Sequence, residues 1–168
     1  FRAGLSGQTI AYSFDGGLSW VNTQIASATH NVYYIDPSVS FDAQGNVYAA
    51  YLAVKQGAHL TGSGIVVLKS TDGGKTWSDP VYAANNIEDG AKTHSRPFVT
   101  TDANGNVYVA WVITEGANAY PVLAKSENAA ASFSDAIALT SETGAVRNAV
   151  PAVAPNGDIC LLYTSPSP

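Results

Sequence analysis

The chain has 168 residues and a formal net charge of -5; 46% of its residues are hydrophobic and only 12% are charged. This balance excludes a disordered, solvated chain, and its 8 scattered Lys and Arg residues give no basic footprint for nucleic acid. No run of 18 apolar residues occurs, so no membrane insertion is expected, and the single cysteine, Cys160, excludes an internal disulfide and a cysteine-based zinc cluster.

Two motifs recur along the chain with a common period. The first is a turn motif that begins with Ser and ends with Trp or Phe. Its copies cover residues 13–20, 70–77 and 126–133. The second motif places a proline before an apolar segment and a Gly-Asn or Asn-Gly turn. Its copies begin at Asp36, Arg96 and Val150. Two independent motifs with one period predict a structural repeat.

Each period predicts four antiparallel strands. The first strand follows the proline, at 38–41, 98–101 and 152–154. The second covers 47–54 and 107–113, and is apolar at nearly every position, which indicates that both faces are covered. The third covers 65–69 and 122–125, and the fourth begins at Trp77 or Phe133. No segment shows helical periodicity.

A repeated four-stranded unit with two apolar faces is typical of a β-propeller blade, which needs neighbouring blades to cover it. We therefore predict an all-β partial propeller of four-stranded antiparallel blades, with two full blades and parts of two more. The predicted blade parts are 8–27, 37–84, 97–139 and 150–159.

The turn motif has a local physical basis. Its Asp side chain can accept hydrogen bonds from the turn backbone, glycine supplies a positive φ, and the aromatic residue covers the hairpin. The motif resembles the Asp-box, or bacterial neuraminidase repeat, of the sialidase-like β-propellers. The matching residues are Ser13, Asp15, Gly17 and Trp20, then Ser70, Asp72, Gly74, Thr76 and Trp77. The third copy departs at Asn128 and Ala130, which predicts a looser turn.

The resemblance covers residues 10 to about 159, and we expect residues 1–159 to be a segment of a longer propeller. The remaining residues, 160–168, resemble a translated sequencing adapter, in which case Cys160 is not a native residue. An ordinary last strand followed by a proline-rich linker is the alternative.

Strand order assigns the two rims of the propeller different roles. In an antiparallel meander the connections alternate between ends, so the turn motifs share one rim and the loops between blades share the other. All three histidines, His30, His59 and His94, fall on the second rim. Because binding groups usually lie on loops carried by a rigid scaffold, we expect this rim to be the functional face.

The candidate site residues lie on this second rim. Arg96 and Asp36 precede the inner-strand prolines and are expected to face the central channel. The alternatives are an ion pair of Arg96 with Asp89 or Glu88, and a turn-capping role for Asp36. Arg147 follows in the last repeat as a further candidate for substrate binding.

Three further residues complete the predicted site. His94 is either a substrate-binding group or a hydrogen-bonded loop residue. Glu115 is a candidate catalytic carboxylate, as is Asp36, or else a solvated loop residue. Tyr120, with Tyr33 and Tyr34, can stack on a sugar or pack the loops.

The resemblance implies an exo-acting glycoside hydrolase that releases terminal sialic acid or a related sugar. Such enzymes bind the substrate carboxylate with three arginines, use a tyrosine paired with a glutamate as nucleophile, and use an aspartate as acid/base. Only Arg96 and Arg147 lie on the functional rim, so we expect the segment to be inactive alone. The alternative is a non-catalytic propeller that binds a glycan or protein at the cell surface.

The same resemblance sets the remaining expectations. The partner is a carbohydrate or glycoconjugate, the location is extracellular or periplasmic, and neither a metal nor a cofactor is required. The sequence leaves the oligomeric state open.

Overall fold

The computed structural model describes residues 7–26, 32–56, 60–140 and 146–164. These residues form β-strands joined by turns, and none of them lies in a helix. The strands in chain order are β1 (Gly7–Tyr12), β2 (Val21–Ala26), β3 (Val32–Phe41), β4 (Val47–Gln56), β5 (Leu60–Ser70), β6 (Val81–Asn86), β7 (Thr93–Thr101), β8 (Val107–Glu115), β9 (Asn118–Ser126), β10 (Ile137–Ala138), β11 (Arg147–Val153) and β12 (Ile159–Thr164).

The strands group into four antiparallel sheets that follow the chain. The first full blade has the order β3-β4-β5-β6 and the second full blade has the order β7-β8-β9-β10. The leading pair, β1-β2, and the trailing pair, β11-β12, are two-stranded sheets. The prediction of an all-β partial propeller with two full blades and parts of two more is therefore confirmed.

The blades stack face to face around their first strands. The first strand of each unit contacts that of the next, β3 with β7 and β7 with β11, so these strands are the inner ones. Between β3 and β7, the Ser38 hydroxyl accepts from the Val99 amide at 3.0 Å, and the Thr101 hydroxyl donates to the Phe41 carbonyl at 2.7 Å. Because β3, β7 and β11 are the inner strands, a site on the propeller axis would be formed by their residues.

Among the residues that the structure describes, the core consists of three clusters, each lying between successive units. Leu52 and Val67 of the first full blade pack with Val109 and Trp111 of the second, which explains why β4 and β8 are apolar on both faces. A second cluster joins the leading pair to the first full blade, and a third joins the second full blade to the trailing pair. Each blade therefore depends on its neighbours for burial.

One inner face is only partly covered. Val39 of β3 is 64% exposed, whereas Val99, at the same place in β7, is 7% exposed because the first full blade covers it. Val39 borders an apolar groove of about 670 Å³ beside β1. Val39 is exposed because the two-stranded leading pair covers less of this face than a full blade does.

The strand limits differ from the predictions at two places. The inner strands begin at Val32, Thr93 and Arg147, ahead of the predicted starts, because pairing continues across an irregularity near the proline. The fourth strands begin after the predicted aromatic residues Trp77 and Phe133. Trp77 instead folds over its own turn, where its indole N–H donates to the Gly74 carbonyl at 3.0 Å.

The trailing pair includes part of the segment predicted to be non-native. β12 pairs with β11 from Val153 opposite Ile159 to Arg147 opposite Thr164. Leu161 packs against the third core cluster, as a second strand of a blade does. An adapter origin for residues 160–168 stays a prediction, and the last four of these residues lie outside the described part of the chain.

The turn motifs share one hydrogen-bond pattern. In the second copy, the Ser70 hydroxyl donates to Asp72 Oδ1 at 2.8 Å and accepts from the Gly74 amide at 2.8 Å. Asp72 also accepts from the Thr76 amide at 2.9 Å and hydroxyl at 2.6 Å. The first copy repeats this arrangement around Asp15. The pattern explains the motif as a turn, and its identity as an Asp-box stays a prediction.

The third turn keeps this pattern although the sequence predicts a looser one. Asn128 Oδ1 accepts from the Ser126 hydroxyl at 2.8 Å and from the Ser132 amide at 3.0 Å. Ala129 and Ala130 have φ values of 56° and 66°, a region that disfavours alanine. The sequence difference in this third copy therefore strains the backbone of the turn, and the turn keeps its hydrogen bonds.

We expect Asp72→Ala to lower the free energy of unfolding, because it removes every bond made by this carboxylate. Hydrogen bonds, the largest from Thr76, lower the pKa of Asp72 to about 2. Its contribution should therefore be complete above pH 3.8 and be lost as the pH falls through about 2. Urea denaturation at pH 7 measures the effect, with Asp79→Ala as the exposed control. An equal loss in both variants would contradict the prediction.

Candidate functional site

The candidate site begins with an irregularity in each inner strand. The pairing register shifts between Ile35 and Ser38 in β3 and between Ser95 and Phe98 in β7. In β3 and β7 a proline, which has no N–H to donate, lies within the shift, and β11 has the same shift between Arg147 and Ala149 without one. Each interruption holds one non-glycine residue in the left-handed region. These residues are Asp36 (φ 51°), Arg96 (φ 52°) and, in β11, Asn148 (φ 57°).

The left-handed backbone conformation of Arg96 needs an explanation, because arginine rarely adopts it. Asp and Asn tolerate this region because their short polar side chains can bond locally, whereas arginine has no such compensation and the conformation costs about 1–2 kcal/mol. Strain of this kind clusters at functional sites. The geometry at Arg96 is therefore a physical pointer to function that the sequence alone did not carry.

Asp36 and Arg96 line the same cavity between the inner strands. This axial cleft has a volume of about 210 Å³, and both side chains are exposed there. Its lining residues are Asp36, Pro37, Arg96, Pro97 and Phe98. The cleft places one cationic and one anionic side chain where an approaching ligand meets both.

The alternative ion pairs of Arg96 are not formed among the described residues. Glu88 pairs with Lys55 instead, and the Asp89 carboxylate accepts a hydrogen bond from the Ala91 amide at 3.0 Å. Within the described ranges, Arg96 makes no ion pair with any carboxylate. Its guanidinium therefore has no carboxylate partner there that would compete with a ligand.

The third residue of this set, Asn148, was missed by sequence reasoning. The prediction aligned Val150 with Asp36 and Arg96 because Val150 precedes a proline, but the left-handed residue is Asn148. The turn glycine could have shown this, since Gly157 stands as far beyond Asn148 as the corresponding glycines stand beyond Asp36 and Arg96. Arg147, the predicted binding residue, is the exposed neighbour of Asn148.

His94 lies in the core as part of the inner strand β7, and not in a rim loop as the sequence predicted. It is only 4% exposed, its Nδ1 accepts from the Trp111 indole N–H at 2.8 Å, and its Nε2 bonds Asn86 Oδ1 at 2.9 Å. The Trp111 bond fixes the tautomer, so Nε2 carries the proton and donates to Asn86. Both ring nitrogens are thus engaged, and substrate binding by His94 stays a prediction.

Burial sets the charge state of His94. Loss of solvation, with a smaller effect of the nearby Lys92 ammonium, lowers the pKa of His94 to about 4. The imidazole is therefore neutral at physiological pH, which its two hydrogen bonds require.

Glu115 and Tyr120 meet at the hairpin between β8 and β9. The Tyr120 hydroxyl donates to Glu115 Oε2 at 3.2 Å, and Lys92 Nζ lies 3.7 Å from the same oxygen. Neither Glu115 nor Tyr120 lines the axial cleft. Of the other predicted tyrosines, Tyr34 stacks on Tyr51 in the core with ring centroids 5.7 Å apart, while Tyr33 is exposed.

The strand register separates the two rims as predicted. Val47 pairs with Ser70 at the end that carries the Asp72 turn, whereas Glu115 pairs with Asn118 at the opposite end. His30 and His59 lie outside the described residues. Among the residues the structure describes, no group of His, Cys, Asp and Glu side chains could hold a metal ion, and none forms a helix able to cross a membrane.

The four-stranded blades give the chain a partial β-propeller fold that solved structures share. No protein-family model and no curated protein sequence matches it. Its structure is similar to the Hadza microbial sialidase Hz136, with a TM-score of 0.64 and 14% identity over 93% of this chain and 37% of that chain.

Two further solved structures share the fold. One is a protein of unknown function from Dyadobacter fermentans DSM 18053, with a TM-score of 0.66 and 15% identity over 91% of this chain and 43% of that chain. The other is an alpha-L-arabinanase from Penicillium chrysogenum complexed with arabinobiose, with a TM-score of 0.59 and 21% identity over 94% of this chain and 50% of that chain. The chain thus spans half or less of each, and the likeness concerns the fold.

Proposed function

We propose that this chain forms part of a carbohydrate-active propeller whose axial cleft binds a terminal acidic sugar, sialic acid or a close relative. The observation that carries the proposal is the cleft shared by Asp36 and Arg96, both held by left-handed backbone on inner strands. The solved structures of a sialidase and an arabinanase with this fold support a carbohydrate ligand.

The roles of the two side chains follow from their chemistry. A guanidinium can bind both oxygens of a planar carboxylate, so Arg96 is proposed to hold the acidic group of the sugar. Asp36 is proposed to face the glycosidic oxygen, where a carboxyl group can act as acid/base. Arg147 and Asn148 would extend the same inner wall from β11.

Hydrolysis needs a nucleophile as well. Glu115 can accept the phenolic proton of Tyr120, which is the pairing that activates a tyrosine nucleophile. Because this pair lies outside the axial cleft, we propose that the 168-residue chain binds the sugar without hydrolysing it. In the complete protein, the location would be extracellular or periplasmic, by analogy with the sialidase-like family.

The proposal is tested by isothermal titration calorimetry, in which free sialic acid is added to the chain and the affinity is measured. We expect Arg96→Ala to weaken binding about 10- to 100-fold, since a charge-assisted hydrogen bond is worth about 1.5–3 kcal/mol. Lys125→Ala, on the turn rim, is the matched control and should bind normally. The uncharged methyl ester of the sugar should bind as weakly to the native chain as sialic acid binds to Arg96→Ala. Equal affinity of the acid and the ester would disprove the carboxylate role.

A fluorogenic sialoside separates the two functional classes. We expect the 168-residue chain to bind sialic acid but to release no fluorophore from the sialoside. Release that disappears in Glu115→Gln or Tyr120→Phe would instead show that the rim pair is catalytic. If the protein containing this chain in full also binds without turnover, the non-catalytic glycan-binding alternative holds.

A further inference from the structure

The chain carries two half-blades whose strands are complementary. In both full blades the turn motif joins the third strand to the fourth, and in the leading pair the same motif joins β1 to β2. The left-handed residue lies in the first strand of each full blade, and Asn148 holds the same place in β11. The leading pair therefore corresponds to the third and fourth strands of a blade, and the trailing pair corresponds to the first and second.

Each half-blade has a strand edge that can pair with another strand. Among the described residues, β1 pairs with β2 alone and β12 pairs with β11 alone. Such an edge presents a row of N–H and C=O groups that acts as a template for pairing. The second and third strands of a full blade are neighbours, so β12 and β1 are the two strands that a complete blade would pair.

The full blades fix the register that this pairing would have. In both, the first residue of the second strand lies opposite the serine that opens the turn motif, as Val47 lies opposite Ser70. The same register between the half-blades sets Ile159 opposite Ser13. β12 and β1 then run side by side over nearly their whole length.

The half-blades also leave matching apolar faces exposed. On the leading side, Val39 and Phe41 border the groove of about 670 Å³ beside β1, and both are largely exposed. On the trailing side, Val150 and Leu162 lie opposite each other, and Leu162 is 72% exposed. Because Leu161 packs on the second full blade, Leu162 faces away from it. Val150 precedes the segment predicted to be an adapter, so this face is not confined to that segment.

The junction between the two full blades shows how these faces would meet. There Ala50 of the first full blade and Val99 of the second belong to one core cluster. Leu162 holds the place of Ala50 in the second strand, and Val39 holds the place of Val99 in the first strand. Leu162 of one copy would therefore lie against Val39 of another, inside the groove.

We propose that two copies of this chain associate head to tail, so that the trailing pair of each joins the leading pair of the other in a shared blade with the order β11-β12-β1-β2. Two shared blades and the two full blades of each copy make a closed ring of six blades. The chain spans 50% of the arabinanase that shares its fold, so two copies match the length of that chain. The pairing does not require the proposed sugar ligand.

The two faces together are large enough for a stable pair. An interface of standard size takes about 20–30 residues from each partner. The groove alone is lined by 18 residues, and each copy also contributes its trailing pair. A head-to-tail contact that closes on itself forms a ring, in which both of these strand edges are covered.

The test measures the mass of the 168-residue chain by analytical ultracentrifugation at micromolar concentrations. We expect twice the 17.4 kDa of one chain. Val39→Lys and Leu162→Lys should each give the mass of a single chain, because either lysine would be buried in the groove. Both positions are exposed in the single chain, so circular dichroism should show an intact fold. Leu18→Lys, which places a lysine where the next turn has Lys75, is the matched control and should stay paired.

Mixing the two variants tests the head-to-tail arrangement. The native leading side of Leu162→Lys can still join the native trailing side of Val39→Lys, so pairs should return in an equimolar mixture, with weaker affinity than in the native chain. A native chain with the mass of a single copy, larger species in place of a pair, or a mixture that stays unpaired would overturn the inference. No sugar is present in these measurements, so their failure leaves the proposed function of the cleft standing, and absence of sialic acid binding leaves the pairing standing.

Discussion

Replacing Trp111 by alanine should lower the free energy of unfolding by about 3–5 kcal/mol, the usual cost of removing a buried aromatic side chain. Trp111 is 0% exposed and lies in the cluster that joins the two full blades. Its indole N–H is also the donor to His94 Nδ1. The substitution therefore opens a cavity and leaves a buried nitrogen without a partner. Urea denaturation followed by circular dichroism measures the loss.

Two variants separate these contributions. Trp111→Phe keeps most of the apolar volume but removes the donor to His94, so we expect a smaller loss of about 1–3 kcal/mol. Trp20→Ala removes a tryptophan that is 62% exposed in the first turn and should cost less than Trp111→Phe. If Trp20→Ala proves as damaging as Trp111→Ala, the blade junction is not the principal core.

Stability should fall by about 3 kcal/mol as the pH drops from 6.5 to 4, because of His94. The unfolded chain binds a proton at His94 below pH 6.5, whereas burial in the folded chain lowers the pKa to about 4. Protons thus favour the unfolded state throughout this window. Above pH 6.5 both states are neutral at His94, and its contribution is complete. Chemical denaturation at pH 7, 6, 5 and 4 measures the slope.

The turn carboxylates do not titrate in this window. Hydrogen bonds, with those from Ser19 and Thr76 the largest, lower the pKa of Asp15 and of Asp72 respectively, so both stay charged down to pH 4. His94→Gln removes the titrating group while its amide can still bond at this position, and should flatten the slope between pH 6.5 and 4. An unchanged slope in His94→Gln would assign the acid sensitivity to other groups.

The inner strands show how local and long-range information differ. The prolines at 37 and 97 were visible in the sequence and predicted a strand start, yet the strands continue on both sides of them. The residues on either side of each proline still pair with the neighbouring strand, so the result is an irregularity within a strand, and β11 has the same irregularity at Asn148 without a proline. That irregularity, absent from the prediction, turns Asp36 and Arg96 into the left-handed conformation.

Sequence alone determined the period, the four-strand blade and the separation of the two rims. These features depend on hydrogen bonds within a few residues of each other, as around Asp72, and on apolar runs that must be covered on both sides. Only the tertiary structure decided that Asp36 shares a cleft with Arg96 and that His94 meets Trp111. The cleft joins different blades and the His94 contact joins neighbouring strands, so both depend on how strands pair and blades stack, which no local pattern records.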